Sequence, residues 1–322
     1  MASALKTYGT LIGFVLIVLF FWMEIPGTFM TAKNWLNISQ QVSMLAVVAF
    51  AMTIVMVMGD FDLSVGSMAS LAGIVAALAF RDGYGVWVGV ALALVIGLLG
   101  GLLNGALVAY VGILPFVATL GTLTVYSGLA FLVSGGKTIF GRDIPTAFSD
   151  FARIGISPSD FGISLSENVS LPKLTIVAVL VLLIVWFVLE QTTFGRRLYA
   201  IGGNKEAARL AGIRVRRLRF LAFGLSGLGA SMAGLMYASR VASANPTQGS
   251  GLMLDAIAAV FLGMTMSEEG EPHVLATLVG VLILGVLGNG LTQMSIDSYV
   301  RDVLIGSIIV LAVAASSLGK SR

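Results

Sequence analysis

The 322-residue chain has no cysteine and a single histidine, His273. Thiolate nucleophiles, disulfides, and zinc or iron–sulfur centres with their customary ligands are thereby excluded. Charge is scarce as well: Asp, Glu, Lys and Arg make up 11% of the residues, against about 25% in an ordinary globular protein. So few charges cannot cover a water-facing surface. Hydrophobic residues instead reach 57%, with a mean hydropathy of +0.99. Runs such as Thr10–Met23, Val42–Met58, Val86–Val111 and Leu174–Leu189 suit a bilayer core of about 30 Å. The composition is that of an all-α polytopic membrane protein. A net charge of +3 is no nucleic-acid footprint, because eight of the nineteen Lys and Arg fall between Arg196 and Arg219 with no aromatic-rich basic face beside them. Nor is there a nucleophile–base constellation, so the chain reads as a non-enzyme.

Apolar runs set against polar breaks give about ten membrane segments: 10–25, 42–58, 64–80, 86–111, 115–134, 174–191, 220–241, 254–266, 273–291 and 302–318. The block 196–219 holds its bases against one acid, Glu206, and the positive-inside rule places it in the cytoplasm. Parity then puts the N-terminus with Lys6, and the C-terminus with Lys320 and Arg322, in the cytoplasm too. The run behind Lys6 has no small-residue cleavage site and is expected to stay as a first span. The polar stretch 135–173 falls outside, its bases Lys137, Arg142, Arg153 and Lys173 matched by Asp143, Asp150, Asp160 and Glu167. The expectation is one transmembrane domain over 1–322, with an external loop at 135–173 and a cytoplasmic loop at 192–219.

Segments 64–80 and 254–266 are short or glycine-interrupted and follow polar residues that lipid does not accommodate. Broken helices persist only where protein or water surrounds them, so both point to a pathway. They also echo one another. Gly66-Ser67 with Leu71, Ile74 and Ala76 recurs 183 positions on as Gly249-Ser250, Leu254, Ile257 and Ala259, and Gly100 with Asn104-Gly105 recurs as Gly285 with Asn289-Gly290. Two five-segment halves would be inverted relative to each other, though small residues and leucines also recur by chance in membrane helices.

In the cytoplasmic block, Gly202-Gly203-Asn204-Lys205-Glu206-Ala207-Ala208 leads to Gly212. Glu-Ala-Ala, three residues, then Gly is the signature of the loop by which importer permeases dock on an ATPase. Asn204 can cap a short helix with Glu206 in its first turn, Ala207, Ala208 and Ala211 leave a small surface, and Gly212 can end it. A linker held to anionic lipid by its arginines is the plainer reading. Gly135-Gly136-Lys137-Thr138 only imitates a phosphate loop, since Phe131 stands where its first glycine belongs. Gly97, Gly101 and Gly105 read as a close helix contact.

Gly59-Asp60-Phe61-Asp62-Leu63-Ser64-Val65-Gly66-Ser67, Phe194-Gly195-Arg196 through Gly212-Ile213, and Leu254-Asp255-Ala256-Ile257-Ala258-Ala259-Val260 with Asn289-Gly290-Leu291 occur in this order. Together they resemble the ribose/xylose/arabinose-type permeases of ABC importers over nearly the whole chain. The resemblance implies an inner-membrane subunit beside a second permease, identical or not, a cytoplasmic ABC ATPase and a periplasmic sugar-binding protein. It implies that ATP and Mg2+ are bound on the ATPase and no cofactor on this chain, with Gly203, Asn204, Glu206, Ala207, Ala208 and Gly212 facing the ATPase. Where the family has a glycine-rich turn, this chain has Ser267-Glu268-Glu269-Gly270-Glu271-Pro272.

Asp60 and Asp62 are open to two readings: caps for the helix near Ser64, or acceptors for sugar hydroxyls along the pathway. Asp255, near Arg240 in topology, is open to the same two kinds of reading, with a structural ion pair expected ahead of a substrate ligand. Asn104 and Asn289 are expected to bond between helices, or else to line the pathway. The expected function is inward movement of a monosaccharide or polyol, driven by ATP on a partner. An ion-coupled secondary transporter is the competing reading, since inverted repeats and intramembrane carboxylates suit it equally.

Overall fold

An apolar chain in lipid can satisfy its backbone N–H and C=O groups only within itself, and helix is what these runs form. The computed structural model describes residues 2–157, 169–267, 270–307 and 310. In chain order its helices are α1 (Ala2–Glu24), α2 (Ala32–Met56), α3 (Val65–Arg81), α4 (Val86–Ala106), α5 (Pro115–Ser134), α6 (Thr146–Arg153), α7 (Lys173–Trp186), α8 (Thr193–Gly203), α9 (Lys205–Leu210), α10 (Val215–Val241), α11 (Leu252–Met264) and α12 (Val274–Gln293). α4 and α7 run on as π-helical turns to Val111 and Gln191, and residues 298–307 form a further helix. Strands β1 (Ile139–Phe140) and β2 (Ser243–Ala244) pair antiparallel. Six helices (α2, extended α4, α5, extended α7, α10 and α12) are long and apolar enough to cross a membrane, while Gly9–Glu24, α3 and α11 are apolar but shorter.

α2 and α10 form the centre. α10 packs on α2, α3 and α4, while α12 packs on α11 and α2. The contact of α4 with α10 is the glycine seam the sequence predicts: a methyl at Gly97, Gly101 or Gly105 runs into Ser231, the Phe223 carbonyl or Phe220. Gly66 and Gly249, members of the echoed pair, meet face to face, and Ser70 Oγ accepts the Gly249 N–H at 2.9 Å.

Two segment boundaries differ from the expectation for physical reasons. α2 begins at Ala32, ten residues before the apolar run, because its polar first turns have partners: Asn34 with Gln293, Ser39 with Thr175, and Gln40 with the Ala152 carbonyl. α10 begins at Val215 and so takes Arg216, Arg217 and Arg219 into a helix. The stretch 135–173 is no plain loop. Its helix α6 buries Phe148 against Phe80, ring centroids 4.9 Å apart, and Ser239 Oγ donates to the Phe148 carbonyl. The acids expected at Asp160 and Glu167, Glu268 and Glu269, most of segment 302–318, and Lys320 and Arg322 lie outside the described residues.

Contacts sort the connections to two ends of the bundle. At one end the Thr10 and Thr265 hydroxyls bond, Gly202 lies against the Val57 carbonyl, and Glu190 meets His273. At the other, Thr28 and Asn34 bond to Gln293, β1 pairs with β2, and Asn245 Nδ2 donates to Thr138 Oγ1.

Candidate translocation and coupling site

Between α2 and α3 the chain breaks at Gly59, whose φ of +77° suits glycine and strains other residues. The next turn carries both carboxylates inward, leaving Asp60 6% and Asp62 1% exposed. Asp60 does not cap. It receives a bidentate pair of hydrogen bonds from Arg219, Nε to Oδ2 and Nη2 to Oδ1, each 2.7 Å. Arg219 is itself buried. The sequence counts it within the basic block 196–219, and the structure turns it inward from that block. The signal was spacing: Arg219 shares its helix face with Ala222, Phe223, Ser226 and Ala230, all buried.

Asp62 takes the capping role. Its Oδ1 accepts the Ser64 backbone N–H at 3.0 Å and the Ser64 hydroxyl at 2.6 Å, and its Oδ2 accepts the Ser226 hydroxyl at 2.8 Å. Asn104 Nδ2 donates to Ser64 Oγ at 2.8 Å and reaches Asp62 Oδ1 at 3.4 Å. One carboxylate thus ties the start of α3 to α4 and α10. Asn104 Oδ1 is buried without a partner among the described residues.

Asn289 lies apart from this cluster, its Oδ1 accepting from Gln293 Nε2, which also donates to Asn34 Oδ1 at 2.9 Å. Asn104 and Asn289 therefore both bond between or along helices, but near different ends. Asp255 does not pair with Arg240. It is exposed in the first turn of α11, and its charged neighbours are Asp302 and Arg301, because residues 298–307 rather than α10 run past it.

In the loop 192–219, Thr192 caps α8 and Asn204 caps α9, accepting the N–H groups of Glu206 and Ala207 at 3.1 and 2.9 Å. Gly212 ends α9 with φ +82°; its N–H bonds the Arg209 carbonyl and the Ile213 N–H bonds the Ala208 carbonyl, the double closure of a glycine stop. Gly203, the last residue of α8, is exposed. Ala207 and Ala211 are exposed, whereas Ala208 turns inward and is buried, so it is not part of the open small-residue face. This loop reaches the α2–α3 break twice, through Gly202 on the Val57 carbonyl and through Arg219 on Asp60. The atypical stretch before α12 also touches it: Tyr199 OH lies 3.0 Å from Glu190 Oε1 and 3.2 Å from the Pro272 carbonyl, with His273 Nε2 3.1 Å from Glu190. Burial, and then the Glu190 charge, raise the Tyr199 phenol, which stays a proton donor.

Residues 34–313 match the family described as branched-chain amino acid transport system / permease component. The ribose import permease protein of Bacillus subtilis is 37% identical over 311 residues, covering 97% of this chain and 92% of the relative. The fructose import permease protein of Rhizobium meliloti is 34% identical, covering 94% and 83%. The xylose transport system permease protein of Escherichia coli is 30% identical, covering 99% and 93%.

Proposed function

The chain belongs to the branched-chain amino acid transport system / permease component family, and from that premise we propose that it is the membrane subunit of an ATP-driven sugar importer. Its whole-length relatives name ribose, fructose and xylose, so a monosaccharide is the cargo. It is a multi-pass inner-membrane protein and not an enzyme; a separate ATPase hydrolyses ATP and a substrate-binding protein delivers the solute. A second permease subunit completes the pathway. The nine described apolar helices, with 298–307 opening a tenth, support ten spans. The sorting of connections to alternate ends supports both termini in the cytoplasm, and the Gly66–Gly249 contact supports two inverted halves of five.

The observation that carries the mechanism is the double contact between the coupling loop and the α2–α3 break. ATPase closure on α9, through Glu206, Ala207 and Gly212, moves the start of α10. The Asp60–Arg219 pair then passes that movement to the break, and Asp62 with Ser64 and Asn104 passes it to α3 and α4. Two packings of one bundle give outward and inward access, and the ATPase supplies the free-energy difference between them. The ion-coupled reading drew on the Asp60 and Asp62 pair, but Asp60 is held by Arg219 and Asp62 by hydrogen-bond donors from three elements. Uptake of labelled ribose in cells separates the two: it survives an uncoupler and stops when the partner ATPase is deleted. Loss of uptake with the uncoupler at normal ATP overturns the proposal.

A further inference from the structure

Beside the coupling turn lies a cavity of about 670 Å3, bounded by Arg197 of α8, Gly212 of the turn, and Arg214, Arg217, Leu218 and Leu221. That is within the range of about 300–1,000 Å3 typical of small-molecule sites. Its three guanidiniums are exposed, and none pairs with a carboxylate among the described residues. The acid of this loop, Glu206, faces Arg209 instead. Three like charges around one cavity, with the first turn of α10 adding its positive helix end, call for an anion. Planar guanidinium forks match phosphate oxygens.

The remaining wall says which anion. Leu221 belongs to a helix long and apolar enough to cross the membrane and is 38% exposed, and Ile213 beside it is half-buried, while Leu218 lies buried beneath them. The cavity therefore joins a cationic mouth to an apolar wall at the start of α10. A free phosphate has nothing to place on that wall, whereas an amphiphile with a long alkyl chain does. We propose that the cavity seats the headgroup of an anionic phospholipid, its phosphate on Arg197, Arg214 and Arg217 and its acyl chain along Ile213 and Leu221. A lipid bound there braces the Gly212 turn, which sets how α9 leaves α10. Only the identity of the leaflet, the cytoplasmic one, rests on the orientation proposed above.

Hydrogen exchange of the full chain in phosphatidylcholine nanodiscs, without and with phosphatidylglycerol, tests this. Both leaflets of a nanodisc are open, so neither orientation nor cargo affects the result. Phosphatidylglycerol slows exchange across residues 211–218. Arg197→Gln and Arg217→Gln each raise the phosphatidylglycerol fraction needed for half the effect by about fivefold, from about 1 kcal/mol per basic residue at an anionic surface. The triple variant with Arg214→Gln loses the effect, while Arg142→Gln/Arg153→Gln in the 135–173 stretch keeps it. Unchanged slowing in the single variants and the triple variant overturns the proposal. So does equal slowing by inorganic phosphate in phosphatidylcholine alone, which marks a free-anion site, or slowing only when the ATPase is added, which marks a protein-docking face.

Discussion

Removing the Asp60 carboxylate leaves the Arg219 guanidinium buried without a counter-charge, a loss of about 3–5 kcal/mol. Asp60→Asn and Arg219→Gln should therefore each lower the amount of folded protein in the membrane, and Asp60→Leu/Arg219→Met should recover it without recovering coupled uptake. Quantifying membrane-embedded protein and uptake per molecule checks both halves. Asp62 behaves differently. An amide oxygen can still accept the Ser64 N–H and hydroxyl, so Asp62→Asn should keep substantial uptake per molecule, with a stability loss of about 1–3 kcal/mol where the new NH2 faces a donor. An abundant but inactive Asp62→Asn protein would contradict the capping role. These two aspartates look equivalent in the sequence, and their separation depended on Arg219, whose partner lies 159 positions away. Long-range pairing of that kind leaves no local pattern. Asn204 and Gly212 were legible because cap and stop are local devices, determined by residues within one turn.

The coupling segment is short, and its geometry limits what it tolerates. Ala207→Trp places a bulky ring on the exposed face of α9 and, on the proposed docking to the ATPase, should abolish uptake while the protein stays in the membrane. Ala208→Trp should instead reduce folded protein, because Ala208 packs inward. Comparing uptake with membrane abundance for the pair distinguishes docking from packing. Gly202→Val drives a side chain into the Val57 carbonyl and should uncouple the loop from the α2–α3 break, raising ATP hydrolysed per sugar moved. Helix positions followed from hydropathy wherever a run was apolar, as in α4 and α5. They failed at the start of α2 and of α10, where polar residues remain helical because partners on other helices satisfy them.

For the molecule as a whole, the central claim is that one bundle converts ATPase closure on α9 into movement at the α2–α3 break. Sidedness comes first: the chain has no cysteine background, so a membrane-impermeant thiol reagent should label Tyr84→Cys in cells whose outer membrane alone is permeabilised and leave Arg216→Cys unlabelled. The claim itself is tested most directly by uptake of labelled monosaccharide into proteoliposomes holding this permease with its ATPase, with loaded sugar-binding protein outside and ATP in the lumen, where the ATPase faces. Uptake should require ATP and the binding protein, persist when ionophores collapse all ion gradients, and vanish in Ala207→Trp. Uptake that proceeds without the ATPase, or that collapses with the ion gradient while ATP is present, would contradict the account.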